Sequence, residues 1–327
     1  MRALVLTNSG LQVQEIPRPP LTADGIRILL QAAALNHRDQ YIVEGKYSKI
    51  VLPAVLGSDG VGIVAEAPSR PHMIGQRVVI DPSLQWGSDP RAQGSNYAIL
   101  GMPTQGTLAE EIVVPATNVH KAPSHLTNDE AAALPLAGVT AYRAIMRQAA
   151  LQSGETVLIT GIGGGVATLA MMFALASYSR VIVTSTKQHK LDAALALGAH
   201  HGVLTTDENW PKRVKEIGPV DCAVDSLGGD MVNGILDVLR PGGRLATYGA
   251  SRGAAPMLNM HRIFWKQLTI VGSTMGTTED FANMLAFVDA KQIRPIVDSV
   301  YSLDHAHDGF VRLHNTEQFG KIVVQCN

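Results

Sequence analysis

At 327 residues the chain is longer than one ordinary hydrophobic core supports, which points to two domains. A hydrophobic content of 46% with 17% charged residues is that of a well-packed globular protein and excludes a disordered one. Lys and Arg number 27 against 28 Asp and Glu, so the formal net charge is −1 and no basic run suggests nucleic acid as a partner. No run approaches the ~18 apolar residues of a membrane span, and the first ten residues, MRALVLTNSG, lack the apolar core of a signal peptide. A cytoplasmic protein is the expectation. Cys222 and Cys326 imply neither a disulfide framework nor a thiolate metal site.

Residues 1–66 alternate β-rich runs with Gly/Pro punctuation. Segments 2–6, 11–16, 26–35 and 61–66 read as strands without helical periodicity between them, and 76–80 adds another. Residues 81–106 form a polar stretch rich in Gly, Pro, Ser and Asn, too long for an ordinary connection inside a compact domain. Strand character returns at 108–115. Thr127-Asn128-Asp129-Glu130 then fits a capping box, in which Thr accepts from the third backbone N–H and Glu reaches back. Pro135 interrupts, and 136–150 reads as a second helix.

From there strands and helices alternate to about residue 275. Strands are expected at 156–160, 181–185, 202–205, 221–225, 244–248 and 268–272, with Gly198 and Pro241-Gly242-Gly243 as stops between elements. Six strands so arranged make a doubly wound parallel sheet. The tail adds a helix (278–291), a strand (297–301), a helix (303–314) and a last strand (321–325). A β-rich beginning, an alternating middle and a mixed tail imply a discontinuous first domain, with a small-molecule cleft between the two.

The most informative stretch is 156–192. A β-branched run enters the turn Gly161-Ile162-Gly163-Gly164-Gly165-Val166-Ala167, an apolar helix follows at 168–178, and a second β-branched run ends near Ser185. This is the first βαβ unit of a dinucleotide-binding domain: glycines let the backbone approach a pyrophosphate, and the N–H groups at the helix start hold its charge. The turn departs from G-x-G-x-x-G, meeting Val166 where the last glycine belongs, and fits G-x-x-G-x-x-A at Gly161, Gly164 and Ala167. An NAD site usually carries Asp or Glu at the end of the next strand. Here that position reads Thr184-Ser185-Thr186-Lys187, with Lys190 beyond, and hydroxyls and cations suit the 2′-phosphate of NADPH. The alternative is that Lys187 and Lys190 form a solvated helix face.

Taken together, Leu35-Asn36-His37-Arg38-Asp39, Gly57-Ser58-Asp59-Gly60-Val61-Gly62, residues 136–142, the glycine turn, Arg240-Pro241-Gly242-Gly243 and Gly320-Lys321-Ile322-Val323 resemble the medium-chain dehydrogenase/reductase superfamily. Within it the chain is most similar to the zinc-free quinone oxidoreductase-like branch. The resemblance implies an α/β fold, with a GroES-like β-rich catalytic domain at 1–122 and 273–327 and a Rossmann NADP-binding domain at 123–272. Zinc-dependent members hold their catalytic metal at positions that match Asn36, Ser58 and Leu136, none of which is an ordinary zinc ligand, and residues 81–106 lack the cysteines of the structural zinc lobe. No metal is expected.

Without a Lewis acid, hydride transfer to an electron-poor acceptor, a quinone or an enone, is the chemistry left open. The resemblance places Asn36, Tyr41 and Tyr47 around that acceptor, and Ser58 where the zinc-binding His would be. It places Thr140, Gly161, Gly164, Gly165, Val166, Ser185, Lys190, Gly249 and Ser273 along NADPH, and it implies a homodimer paired through strand 268–272. Trp86 and Trp265 are candidate pocket walls or packing residues. Two other readings stand beside this one: a metal-independent alcohol or carbonyl dehydrogenase, and a non-catalytic NADPH-binding structural protein. Asp304-His305-Ala306-His307-Asp308 looks like a metal cluster, but on a helix its two histidines face different ways.

Overall fold

The computed structural model describes residues 1–326. It forms two compact units, one made of Met1–Val139 with the tail from Gly276 onward, the other of Thr140–Met275. The change at Val139 lies beyond the expected boundary at 122/123. The reason is the capped helix Asn128–Ala132, which packs on strands Gly25–Ala34 and Asp59–Glu66 of the first unit. Its capping box forms as expected: Glu130 N–H donates to Thr127 Oγ1 at 3.2 Å and Thr127 N–H to Glu130 Oε2 at 2.8 Å. The expected helix 136–150 is two segments, Pro135–Tyr142 and a wider π-helical turn, Arg143–Gln148.

In the first unit, strand Gly25–Ala34 is the centre of a seven-stranded sheet. It pairs antiparallel with Asp59–Glu66, with Glu111–Pro115 and, near its end, with the tail strand Lys321–Gln325. Because it is covered on both faces, its sequence GIRILLQAAA is almost continuously buried. Gly62 is required there, since a Cβ would stand 2.2 Å from the Leu29 carbonyl oxygen. Ala34 faces Asp59 on one side and Val323 on the other. That register brings residues near 36, 59 and 321 to one place.

Residues 1–66 also contain a helix, His37–Val43, where none was expected. Its buried positions are Arg38, Asp39 and Ile42, so charge rather than apolar periodicity marks its inner face. The long polar segment carries a short hairpin, Ser83–Leu84 with Ala98–Ile99.

The second unit is a six-stranded parallel sheet in the order His201–Leu204, Arg180–Ser185, Thr156–Ile159, Val220–Asp225, Leu239–Thr247, Thr269–Gly272. This is the Rossmann order, reversing direction at Thr156–Ile159. The helix after the glycine turn begins at Gly165, three residues before the expected start at Thr168. Pro241-Gly242-Gly243 does not stop an element; it lies inside strand Leu239–Thr247. The pairing register with Val220–Asp225 shifts between Val220 and Cys222, and such an irregularity accommodates a proline and two glycines.

Candidate active site

Asn36 follows the central strand by two residues and caps the start of helix His37–Val43, and it is only 7% exposed. Its Oδ1 accepts from Lys321 Nζ at 2.6 Å, and its Nδ2 donates to Asp59 Oδ2 at 2.9 Å. Lys321 Nζ also donates to Asp59 Oδ2 at 2.8 Å and to the Leu35 carbonyl at 2.7 Å. The other oxygen of Asp59 accepts from Leu136 N–H at 2.7 Å. Asp59 is fully buried, Lys321 is 4% exposed and Asn36 7%, so the charged members of this ring of an amide, a carboxylate and an ammonium are shielded from solvent and the amide is its most exposed member.

A second group adjoins it. The Arg38 guanidinium donates through Nη1 to Ser58 Oγ at 2.7 Å and to the Leu100 carbonyl at 2.8 Å. Its Nη2 reaches the Tyr47 hydroxyl at 3.4 Å, and its Cζ lies 5.0 Å from the Tyr47 ring centre, within cation–π range. Ser58 is fully buried and also donates to the Leu100 carbonyl, so its hydroxyl ties the long segment to the strand below. Asp39 accepts from the Asn36 and Gly57 backbone N–H groups. Burial holds its carboxyl above the usual range, against the opposing pull of Arg38 and those donors. Tyr47 is half-buried beside Arg38, whereas Tyr41 is exposed on the helix surface.

These residues do not fit a catalytic zinc ion. The Asn36 amide oxygen is held by an ammonium, Ser58 Oγ receives a guanidinium, and Leu136 offers no donor. Two cations therefore stand against a third charge of the same sign, and thiolate, imidazole or carboxylate ligands are missing from the matching positions. Among the described residues no group of three or more His, Cys, Asp or Glu could hold a metal.

In the second unit the glycine turn has the form a pyrophosphate needs. Gly161 and Gly163 have φ of +65° and +124°, and Gly164 caps helix Gly165–Ala176 in an extended conformation. A Cβ on Gly164 would meet nothing within 4 Å, so open space lies beside the helix start, with Val166 in its first turn. Lys190 is 6% exposed, and its side chain lies against Gly163: a Cβ there would come within 2.6 Å of Lys190 Cδ. Lys190 thus faces the turn, not solvent, while Lys187 is half-buried. Ser185 is buried at the end of its strand, its Oγ accepting from Lys187 N–H at 3.1 Å.

Thr140 Oγ1 lies 3.7 Å from Met275 Sδ. Ser273 Oγ is buried and takes no partner among the described residues, leaving a donor for a ligand. Gly249 is exposed, with the Ser226 carbonyl oxygen 3.0 Å from where a Cβ would stand.

Arg38, Asp59 and Lys321 were not among the expected site residues. All three sit inside the motifs that carry the resemblance, and the signal that could have found Asp59 and Lys321 is a charged residue within an otherwise small or apolar run of its motif. Trp86 is buried edge-on to Tyr97 at 5.2 Å, whereas Trp265 is 74% exposed on helix Met260–Trp265. A cavity of about 1350 Å³ opens in the first unit between Pro17, Pro20, Leu84, Trp86, Gln105 and Val114. None of Asn36, Tyr41, Tyr47 or Ser58 lines it, so it is separate from the polar ring.

Comparison with known proteins matches residues 22–124 to the alcohol dehydrogenase GroES-like domain and residues 165–290 to the zinc-binding dehydrogenase domain. The chain is 32% identical to the zinc-type alcohol dehydrogenase-like protein YogA of Leptosphaeria maculans, over 96% of this chain and 94% of that one. It belongs to the medium-chain dehydrogenase/reductase superfamily. Members of this superfamily bind a nicotinamide cofactor and act as oxidoreductases. Another medium-chain relative, the acryloyl-coenzyme A reductase of Sulfurisphaera tokodaii, is 26% identical over 99% of this chain and all of its own. A crystal structure of an NAD-dependent alcohol dehydrogenase superposes with a TM-score of 0.94 at 35% identity, covering 100% of both chains.

Proposed function

We propose that this medium-chain reductase transfers hydride from NADPH to an enone or quinone without a metal. The observation that carries the proposal is the Asn36–Asp59–Lys321 ring, in which an oriented amide stands where zinc-dependent members hold their ion. A bound nicotinamide would supply the hydride to the β-carbon of an enone, whose alkene pair would shift to the carbonyl carbon and its carbonyl pair to oxygen, leaving an enolate that takes a proton from solvent at the α-carbon. Asn36 donates to that oxygen as its charge grows. Tyr47, held by Arg38, lines the acceptor pocket together with Tyr41, and Ser58 anchors the segment that carries Leu100. The likeness to an acryloyl-coenzyme A reductase supports this class, since acryloyl is an alkene conjugated to a carbonyl.

NADPH is preferred because Ser185 and Lys190 gather at the turn with no acidic residue at the strand end. Along the cofactor, Thr140, Gly249 and Ser273 serve the nicotinamide and its ribose, and Gly161, Gly164, Gly165 and Val166 the pyrophosphate. The likeness to an NAD-dependent alcohol dehydrogenase favours a second reading, alcohol oxidation with NAD.

Steady-state oxidation of NADPH and NADH with a panel of quinones, enones and simple alcohols separates the two. Turnover of enones or quinones by metal-free protein is the expected result; activity only with alcohols, restored by added zinc, would overturn the proposal.

The homodimer is proposed through edge strand Thr269–Gly272, because its Ile270 is 39% exposed and Phe264 and Trp265, a few residues earlier in the chain, are 65% and 74% exposed. Ile270→Glu should halve the mass seen by light scattering; an unchanged mass would place the contact elsewhere.

A further inference from the structure

We infer that Lys321 and Asp59 act as positioning residues that fix and polarise Asn36 as a hydrogen-bond donor toward the acceptor's carbonyl oxygen. This rests on the function proposed above and adds to it two residues that do not touch the substrate.

The reasoning is a count of donors and acceptors. A carboxamide has one acceptor oxygen and two N–H donors, and which end points where is set by its neighbours. Lys321 can only donate, and it faces Asn36 Oδ1; Asp59, as the carboxylate paired with that ammonium, accepts from Asn36 Nδ2. A flipped amide would put N–H against ammonium and oxygen against carboxylate, so only one orientation is compatible with the ring. All three Lys321 hydrogens are committed, to Leu35 O, Asn36 Oδ1 and Asp59 Oδ2. Asp59 is committed at both oxygens. The remaining N–H of Asn36 is therefore the ring's one donor with no acceptor among the described residues.

Its strength is set as well as its direction. An ammonium bonded to the amide oxygen draws electrons from nitrogen through the amide resonance, which makes the remaining N–H a better donor. Removed from water, that polarisation is not screened away. The device stands on the register of the central strand, whose end is flanked by the strands of Asp59 and Lys321. It gives a metal-free site a fixed partial charge where an enolate oxygen develops.

The test is a double-mutant cycle on the holoenzyme with NADPH and a series of para-substituted cinnamaldehydes. Asn36→Ala should lower kcat by roughly 10²–10³-fold, the effect of losing one oxyanion donor. Lys321→Met should lower it by roughly tenfold or more, steepen the dependence on the para substituent and leave NADPH affinity unchanged. Added to Asn36→Ala, Lys321→Met should cost nothing further, since its effect passes through the amide. Effects that multiply would overturn the inference.

Lys321→Met leaves Asp59 buried without its cation and can unfold the chain. The neutral pair Lys321→Met with Asp59→Asn then carries the same cycle. In the wild-type holoenzyme, ¹⁵N-asparagine labelling, with Asn36→Ala for assignment, should show one Asn36 amide proton protected from exchange with solvent and unmoved by ligand, the one held by Asp59, and the other moved by a bound cinnamaldehyde. Two amide protons that exchange alike, with neither moved by the acceptor, would also overturn the inference. A wild-type enzyme that reduces no enone or quinone removes the proposed function itself, whereas enone reduction with a multiplicative cycle removes only the role of Lys321 and Asp59.

Discussion

The two units hold their functional groups by opposite means. In the second, the glycine turn is a contiguous run whose proposed ligand-binding groups are backbone N–H donors at the start of helix Gly165–Ala176, bordered by open space at Gly164. In the first, the candidate chemistry lies in side chains drawn from positions 23, 262 and 285 residues apart, closed into a buried ring. A backbone site needs particular residues mainly for what they lack, a Cβ. A side-chain ring needs both its charged members, because removing one strands the other's charge away from water. The first unit should therefore fail by unfolding and the second by losing affinity.

Asp59→Ala tests that contrast at its strongest. It removes the carboxylate that the Lys321 ammonium and the Leu136 N–H donate to and should cost about 3–5 kcal/mol in urea denaturation. A loss below 1 kcal/mol would mean that the ring is wet and weak.

The next effect concerns a carboxylate that the first unit buries without a cation. Asp81 accepts from Ser83 N–H at 2.9 Å, yet burial, with Asp280 nearby, pushes its pKa up to about 7. Because the folded value is raised, the folded state holds the proton more tightly. The associated stability is full below the ordinary Asp range near pH 4, falls as pH rises, and is gone above about 7. Asp81→Asn should remove that decline and raise Tm at pH 8 while changing it little at pH 4. An unchanged pH profile would show that Asp81 ionises normally.

In the second unit, Gly163→Ala puts a Cβ at φ +124° against the Lys190 side chain and should cost about 1–3 kcal/mol. It should appear chiefly as weaker NADPH binding by fluorescence titration, with kcat kept at saturating cofactor. A stability loss without any change in affinity would separate the turn from the cofactor.

The smallest change expected is in selectivity. Lys190→Met should weaken NADPH by about 1.5 kcal/mol, roughly tenfold, and leave NADH almost unaffected. Equal losses for both would move Lys190 from the 2′-phosphate to the pyrophosphate.

Much of this was legible in the chain. The Thr127 capping box, the alternation of strands and helices from residue 156 onward, and the tail elements Thr278–Lys291 and Lys321–Gln325 were set by local pattern and capping, and they form where they were expected. Helix His37–Val43 was not legible, because its inner face is Arg38 and Asp39, residues whose burial is decided by Ser58, Leu100 and Gly57 far along the chain. Pro241-Gly242-Gly243 misled for a related reason: whether such a run ends a strand or bulges within it depends on the neighbouring strand's register. Lys190 read as a site residue with a solvated helix face as the alternative, and the fold lays it against Gly163.

By itself, then, the sequence determined the glycine turn, the alternation of strands and helices from residue 156 onward and the family, since each is written in short runs whose periodicity and backbone demands are local. Tertiary structure alone decided that Asn36, Asp59 and Lys321 meet, and which way the amide points. Hydrogen-bond direction depends on which donors and acceptors are brought within about 3 Å, and only the pairing of three strands brings those three together.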